Sequence, residues 1–384
     1  MKKNRISLLR NILLIKRYPR TSLELFKARL KDKFFLHKKT SSPPNLIVWY
    51  VSEACNLRCP ICNVWESRNK FLESAKETPF TLEDIKKIVK QVESFKPMFY
   101  LIGGEPTLNR DLIKIVSYIH KKRMITSLTT NGWLLPSFAK PLFESGLDFI
   151  SVSLDGPTAE SHDKNRGVPG SFKRLVKGIR ILTELKNRNR SIFPNIKINT
   201  VIIPENVDQL ENIIVLAKNL GVDEMSFQNL SFYGEKIKKA NDAYATLKKT
   251  GRIMMGMKIL GKTPFNETEI KKIVNFLKSL PELSKKYGLS LINTPYVSNF
   301  EAYYKGAFPS FVESWCYDPW HTATIRGSGD LEVCQGYVVG NIKENKLLDL
   351  WNNEKYQYFR KIIKKEHLTP ACYRCCNLNT CFKK

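Results

Sequence analysis

Residues 53–65 read EACNLRCPICNVW and directly follow an apolar run, LIVWYVS, at 46–52. Cys55, Cys59 and Cys62 give the spacing Cys-x3-Cys-x2-Cys. Three thiolates on one short loop can hold three irons of a cubane [4Fe–4S] cluster, whereas a closed electron-transfer cluster needs four cysteines. The fourth iron is therefore expected to stay open for another ligand.

Strand and helix patterns alternate on the C-terminal side of this loop. Such alternation is typical of parallel β/α units, with the chemistry at the C-terminal ends of the strands. Six strands are too few for a complete eight-stranded barrel, so we expect an α/β fold with a partial (β/α)6 barrel. The strands are predicted at 46–52, 98–102, 124–130, 148–154, 196–203 and 223–228, and the helices at 81–95, 110–122, 134–145, 171–187 and 207–219.

The remaining cysteines form a second group near the C-terminus. Cys316, Gly329 and Cys334 give Cys-x12-Gly-x4-Cys, and ACYRCCNLNTC follows at 371–381. Short strands, glycine-rich turns and one helix near 347–364 predict a small α+β domain here. Residues 229–315 show one clear amphipathic helix, near 266–287. The predicted organisation is a basic N-terminal segment and linker at 1–45, the barrel at 46–230, a connecting or substrate region at 231–315, and the cysteine domain at 316–384.

The order of further motifs makes a family resemblance definite. GGEP at 103–106, TTNG at 129–132, SVSLDG at 151–156 and HDKNRG at 162–167 follow successive strands. With the cysteine loop, this series resembles the radical S-adenosylmethionine (SAM) superfamily. The resemblance covers about 46–230 and again 316–381. Ile61 stands where the family usually has an aromatic residue beside the adenine, so an apolar contact is kept without stacking.

The resemblance implies a SAM-binding cluster, reductive cleavage of SAM to a 5′-deoxyadenosyl radical, and removal of a substrate hydrogen. Cys55, Cys59 and Cys62 would be the cluster ligands and catalytic residues. The implied SAM contacts are of three kinds: the methionine amine, the ribose, and the methionine carboxylate. Gly103, Gly104 and Glu105 would bind the methionine amine. Asn131, Ser153 and Asp155 would contact the ribose, and Arg166 would pair with the methionine carboxylate.

The C-terminal cysteines resemble a SPASM/twitch auxiliary-cluster domain. Two four-cysteine clusters need eight thiolates, and six are present. The resemblance therefore implies one auxiliary [4Fe–4S] cluster as an electron relay. Its ligands are expected to be Cys316, Cys334, Cys372 and Cys375. Cys376 can replace Cys375, and Cys381 is expected to be free or a remnant. Four-cysteine zinc sites have comparable spacing, so zinc remains the alternative here and, more remotely, at the first loop.

Charge and the N-terminal segment suggest partners. Net charge is +27, and residues 1–45 hold 13 Lys and Arg against two acids. An acidic electron donor such as flavodoxin or ferredoxin would suit this charge, as would an anionic membrane surface. Leu23, Phe26, Leu30 and Phe34 share one face of a helix predicted at 21–35, capped by Thr21 and Glu24. The expected location is cytoplasmic, with peripheral attachment to the inner membrane face as one alternative and packing on the barrel as the other.

The substrate is not encoded in a motif. One hypothesis is a lipid or lipid-linked glycan at the membrane surface, based on the N-terminal segment. A second is a peptide, modified by a radical SAM maturase. With either substrate, the chain is expected to be a radical SAM enzyme of the oxidoreductase or transferase type. A third, from a different class, is a zinc-stabilised nucleic-acid-binding protein. The ordered motif series disfavours the third hypothesis, because a nucleic-acid binder needs none of it.

Overall fold

A computed structural model describes most of the chain. The described residues are 12–19, 21–23, 41–62, 80–233, 239–240, 242–243, 258–259, 263–295, 297, 299–306, 315–334, 336–366, 368–370, 372, 375 and 380–381. Cys376 and the predicted membrane-facing residues Phe26, Leu30 and Phe34 lie outside them.

One parallel sheet carries the predicted barrel strands. Neighbouring strands pair in chain order, and the residues on one face pack against the surrounding helices. The predicted partial α/β barrel is confirmed. Its strands are β1 (Leu46–Ser52), β2 (Met98–Gly103), β3 (Thr126–Thr130), β4 (Phe149–Ser153), β5 (Asn195–Ile202) and β6 (Glu224–Asn229).

Helices between these strands cover the outer face of the sheet. Capping boxes begin two of them: Thr81 with Asp84, and Thr158 with Ser161. In both, the cap side chain accepts a backbone N–H that the first helical turn leaves unpaired. The helices are α1 (Leu82–Val92), α2 (Leu112–Lys121), α3 (Leu135–Glu144), α4 (Ala159–Arg166), α5 (Ser171–Arg188) and α6 (Leu210–Asn219), with 3-10 turns at Pro106–Leu108 and Pro204–Gln209.

The connecting region contributes three strands that sequence patterns did not predict. Here β7 (Phe232–Tyr233) pairs with β8 (Lys258–Ile259), and β9 (Ser290–Thr294) adds a parallel strand beside β6. β9 was missed because its five residues, SLINT, show little apolar alternation. The predicted helix becomes α7 (Glu267–Tyr287), and α8 (Phe300–Tyr304) follows it.

The cysteine region extends the same sheet. Its strand β11 (Thr322–Ile325) pairs parallel with β1, and β12 (Asp330–Glu332) and β13 (Val338–Asn341) continue antiparallel. The strand that leads into the first cysteine loop is therefore a hydrogen-bonded neighbour of this region. The other elements are β10 (Trp315–Cys316), paired with β14 (Thr380–Cys381), and α9 (Asp318–His321), α10 (Leu347–Trp351) and α11 (Glu354–Glu366).

The predicted single helix near 347–364 is two helices. Asn352 and Asn353 separate α10 from α11. The Asn353 side chain accepts the Tyr356 N–H at 2.9 Å, as an N-cap does. Asn352 also binds the N-terminal linker, because its Oδ1 accepts the Ser41 N–H at 2.9 Å. The described part of that linker, 41–45, thus packs on the cysteine region.

The described residues 12–19 and 21–23 lie at the opposite end of the barrel from the cysteine loop. Residues 12–17 and 21–23 are helical. The Tyr18 hydroxyl donates to Asp148 Oδ1 at 2.8 Å, and Arg17 Nη2 donates to the Gly146 carbonyl at 3.1 Å. Both partners precede β4, at the N-terminal end of the strands. Within the described residues, no helix combines the length and apolar character needed to cross a membrane.

Candidate active site

Backbone hydrogen bonds hold the first cysteine loop against its neighbours. The Gly104 N–H donates to the Ser52 carbonyl at 2.8 Å, and the Glu105 N–H to the Ala54 carbonyl at 2.7 Å. On the other side, the Arg58 N–H donates to the Arg166 carbonyl at 3.2 Å. The loop is therefore hydrogen-bonded on one side to the turn after β2 and on the other to the end of α4. Its three cysteines remain partly exposed.

Gly103 and Gly104 explain how the turn after β2 comes so close. A Cβ on Gly103 would lie 2.0 Å from the Ser52 carbonyl oxygen, and one on Gly104 would lie 2.4 Å from the Ala54 oxygen. Real Cβ atoms do not approach backbone oxygens this closely, so only glycine fits at either position. Gly103 and Gly104, which are predicted to contact SAM, thus also allow the cysteine loop to pack closely against this turn.

Glu105 is buried and its carboxylate is already hydrogen-bonded. Its Oε1 accepts the Thr107 hydroxyl at 2.6 Å and the Thr130 hydroxyl at 2.7 Å, while Oε2 accepts the Asn131 N–H at 2.7 Å. Only 1% of the residue is exposed, and burial raises the pKa of the carboxyl above its usual range. The Glu105 side chain therefore links the turn after β2 to the turn after β3 through hydrogen bonds. Thr130, quoted in the sequence motif, was not assigned this role.

Asn131 reaches the cysteine loop directly. Its Nδ2 donates to Asn56 Oδ1 at 2.8 Å and lies 3.8 Å from Cys55 Sγ. The predicted ribose contact of Asn131 stays a prediction. Ser153 is half-buried at the end of β4, and Ile61 is half-buried against the main core.

Asp155 and Arg166 pair with each other. Arg166 Nη2 lies 2.6 Å from Asp155 Oδ2, and Arg166 Nη1 lies 3.9 Å from Cys59 Sγ. Asp155 has no exposed surface, and its Oδ1 accepts the Val201 N–H at 2.9 Å. The predicted ribose contact of Asp155 stays a prediction. The family motifs assigned Asp155 to the ribose of SAM and Arg166 to its methionine carboxylate. The ion pair between them could not be predicted, because the spacing of residues along the sequence does not encode it.

The three cysteines of the loop suit a cluster. Burial, followed by the nearby Glu105, Cys59 and Cys62, raises the pKa of Cys55 to about 11. Such a thiol is uncharged at neutral pH without a bound group, and binding iron would release its proton. N–H donors from Asn131 and Arg166 point at two of the sulfurs, which suits the electron-rich thiolates of a cluster. Across the described ranges, no three His, Cys, Asp or Glu side chains converge on one single-ion site.

The four predicted auxiliary cysteines lie near one another, although the described side chains do not converge as the ligands of a single ion would. Cys316, Cys372 and Cys375 are close enough to Cys334 to raise its pKa, although burial is the larger cause. Asp318 lies beside them, and burial raises its own pKa to about 6. No sequence motif pointed to Asp318. The backbone of Cys381 pairs with Trp315, beside Cys316.

The sequence matches two family models. The model described as the radical SAM superfamily covers residues 49–217, and the iron–sulfur cluster-binding SPASM domain covers 316–376. The chain belongs to the radical SAM superfamily. Its enzymatic nature and its cofactors, SAM and [4Fe–4S] clusters, are thereby confirmed.

Two full-length relatives and one solved structure are informative. An AdoMet-dependent heme synthase of Methanosarcina barkeri is 28% identical over 87% of this chain and 89% of its own length. A tungsten-containing aldehyde ferredoxin oxidoreductase cofactor-modifying protein of Pyrococcus furiosus is 28% identical over 86% and 87%. Streptococcus suis SuiB, bound to S-adenosylmethionine, has TM-score 0.60 at 18% identity, covering 91% of this chain and 75% of that one. The last likeness establishes the fold alone.

Proposed function

We propose that this radical SAM enzyme carries out an oxidation in which the auxiliary cluster takes an electron from the substrate. The observation that carries the proposal is the pairing of β11 with β1. It sets the cysteine region directly beside the strand that ends at the Cys55 loop. When bound, SAM and its cluster supply a radical that removes a hydrogen atom from the substrate.

The residues around the loop take positioning roles in this proposal. Cys55, Cys59 and Cys62 hold the SAM-binding cluster, and Cys316, Cys334, Cys372 and Cys375 hold the auxiliary one. Gly103 and Gly104 present backbone groups to the methionine end of SAM. Glu105 acts indirectly, by fixing the Asn131 backbone, and Asp155 acts by orienting Arg166.

The inner face of the sheet favours a polar substrate. Four residues that alternate with the helix-packed core positions are half-buried and polar: Tyr100, Thr129, Asn199 and Gln228. The Tyr100 hydroxyl and Thr129 Oγ1 lie 2.6 Å apart, and Asn199 Nδ2 donates to Gln228 Oε1 at 3.0 Å. A lipid chain would bury these groups against hydrocarbon, which is unfavourable unless every hydrogen bond is kept.

The geometry gives the lipid or lipid-linked glycan hypothesis no support. Its basis was the N-terminal segment, which would bring a membrane to the substrate. The described part of that segment is bound at Asp148 and Gly146, at the far end of the strands from the cysteine loop. A membrane bound there would face away from the site.

We infer that the substrate is a heme precursor. The support is the full-length similarity to the heme synthase, which by its name makes heme with SAM. A peptide is the second candidate, because a structurally similar protein, SuiB, has been crystallised with its precursor peptide SuiA. That likeness is one of fold at 17% identity, so it carries less weight. The electron donor we propose is an acidic protein, attracted by the net charge of +27.

The test is an anaerobic assay with the reconstituted full chain, SAM, a low-potential reductant and iron coproporphyrin. We expect 5′-deoxyadenosine and a porphyrin that has lost mass in stoichiometric amounts, and neither product from Cys59→Ala. Release of 5′-deoxyadenosine without any change in the porphyrin would reject this substrate and leave the radical SAM reaction standing. The peptide candidate would then be tried in the same assay.

A further inference from the structure

Three charged side chains connect the two cysteine regions. Glu53 follows β1 and stands two positions before Cys55. Glu332 ends β12 and stands two positions before Cys334. Between them lies Arg326, whose Nε is 3.5 Å from Glu53 Oε1 and 3.9 Å from Glu332 Oε1.

This bridge is enclosed. The side chains of Arg326, Glu53 and Glu332 are 15%, 27% and 4% exposed. The Arg326 guanidinium lies 4.0 Å from the centre of the Tyr50 ring, which is a cation–π contact. Charges are screened weakly at such positions, so an ion pair here is stronger than one at the surface.

Backbone contacts hold Glu53 and Arg326 in place. Glu53 Oε1 also accepts the Gly327 N–H at 3.0 Å, and a Cβ on Gly327 would lie 2.8 Å from Glu53 Cγ. The Arg326 N–H donates to the Asp330 carbonyl at 2.9 Å, which fixes the turn between β11 and β12. Glu53 therefore contacts this turn through its side chain at two adjacent residues.

We propose that Arg326 is a positioning residue that holds the Cys55 loop and the Cys334 loop in one fixed relation. One guanidinium neutralises two carboxylates that would otherwise repel each other across the junction. A role in binding a substrate anion is disfavoured, because both carboxylates would oppose it. The inference rests on the proposed assignment of these cysteines as ligands of two clusters.

The first experiment needs no cluster. Amide hydrogen exchange is measured for peptides containing 53–62 and 326–334 in the iron-free full chain. Arg326→Met should speed exchange in both peptides, because Glu53 loses its ion pair and Glu332 is left buried without a cation. Arg326→Met/Glu332→Gln removes the uncompensated charge and should restore much of the protection. Arg188→Met is the matched control, since its pair with Glu184 is 77% and 63% exposed, and it should change neither peptide.

The second experiment measures the distance between the two reduced clusters in the reconstituted protein by pulsed EPR. The wild-type protein should give one narrow distribution, and Arg326→Met or Arg326→Lys a broader one at unchanged iron content. If wild-type protein holds one cluster, the proposed ligand assignment fails, while the exchange experiment still tests the bridge. Wild-type exchange in Arg326→Met, or an unchanged distance distribution, would overturn the proposal.

Discussion

Single glycines around the first cysteine loop act mainly by allowing backbone segments to approach each other closely. Gly103 and Gly104 permit an approach to the Ser52–Ala54 backbone that any side chain would block. Gly167, at φ +68, does the same on the other side, since a Cβ there would lie 2.2 Å from the Arg58 carbonyl oxygen. The cysteine loop is thus shaped by glycines on two separate turns.

Gly104→Ala should remove the cluster of the first loop. The added methyl group would meet the Ala54 oxygen at 2.4 Å, so the loop must shift and the three thiols lose their arrangement. Iron after reconstitution should fall from about eight to about four atoms per chain. Gly170→Ala is the control, because nothing lies within 4 Å of its Cβ. Its positive φ costs about 1 kcal/mol, and iron should be unchanged. Full iron in Gly104→Ala would refute the steric argument.

His162 should make the protein less stable in acid. The ring is fully buried, its Nδ1 accepts the Asp155 N–H at 3.2 Å, and burial, followed by Arg166, lowers its pKa from 6.5 to about 3. Between these two pH values the unfolded chain binds more protons than the folded one. Stability is therefore lost as pH falls through this window, by about 1.4 kcal/mol per unit below 6.5.

His162→Asn tests this contribution, because the amide oxygen can accept the same N–H and does not titrate. Urea unfolding at pH 7 and pH 5 should show a smaller loss of stability in the variant than in the wild-type protein. Equal losses in the two proteins would mean that His162 is not the group responsible.

At the scale of elements, two described residues of the N-terminal segment, Tyr18 and Thr21, pack against the N-terminal end of the barrel strands. Tyr18 is 1% exposed, and its hydroxyl lies 2.9 Å from His120 Nδ1 as well as donating to Asp148. Thr21 is also buried, and its hydroxyl donates to the Arg123 carbonyl at 3.3 Å. Packing on the barrel therefore describes Tyr18 and Thr21, whereas Ile12 and Ile15 are 42% and 55% exposed.

Tyr18→Phe should lower the free energy of unfolding by about 1–3 kcal/mol, because a buried carboxylate loses a hydrogen-bond donor. Urea denaturation measures the loss. Ile15→Ala is the control and should change stability by less than about 0.5 kcal/mol, since that side chain is largely exposed. SAM cleavage should be unaffected in both variants, because Tyr18 lies at the opposite end of the strands from Cys55. A Tyr18→Phe protein as stable as wild type would show that this contact contributes nothing.

At the scale of the whole molecule, one sheet joins two cysteine regions that are 253 residues apart in sequence. β1 lies between β2 and β11, so the strand before the first loop contacts both the barrel and the C-terminal region. The linker residue Asn45 adds to this junction by donating its N–H to the His321 carbonyl at 2.9 Å. The molecule is thus arranged for two clusters on one scaffold.

Iron content should separate the two sites. The Cys55/Cys59/Cys62→Ala variant should retain about four irons per chain, and so should Cys316/Cys334→Ala. Zinc in place of iron in the first variant would contradict the auxiliary assignment. Cys375→Ala, Cys376→Ala and Cys381→Ala then identify the fourth ligand, since only the true ligand should abolish the auxiliary signal. Metal analysis and EPR of each reconstituted variant provide the measurement.

The sequence alone determined the order of the β/α units, the first cysteine loop and the family. These features are local: a thiol spacing belongs to one loop, and an apolar period belongs to one helix or strand. The glycines at 103 and 104 were also visible, although the reason for them was not. β9 was missed because a short, mixed strand becomes recognisable only when a neighbouring edge is present to pair with it.

Only the tertiary structure decided which charged groups meet. Asp155 with Arg166, Tyr18 with Asp148, and Glu53 with Arg326 are brought together by strand register and burial, and no spacing in the chain encodes them. Each residue taken alone fits a ligand contact or a solvated surface equally well. A buried charge must find a partner because leaving it without one is costly, and the fold determines which partner is within reach.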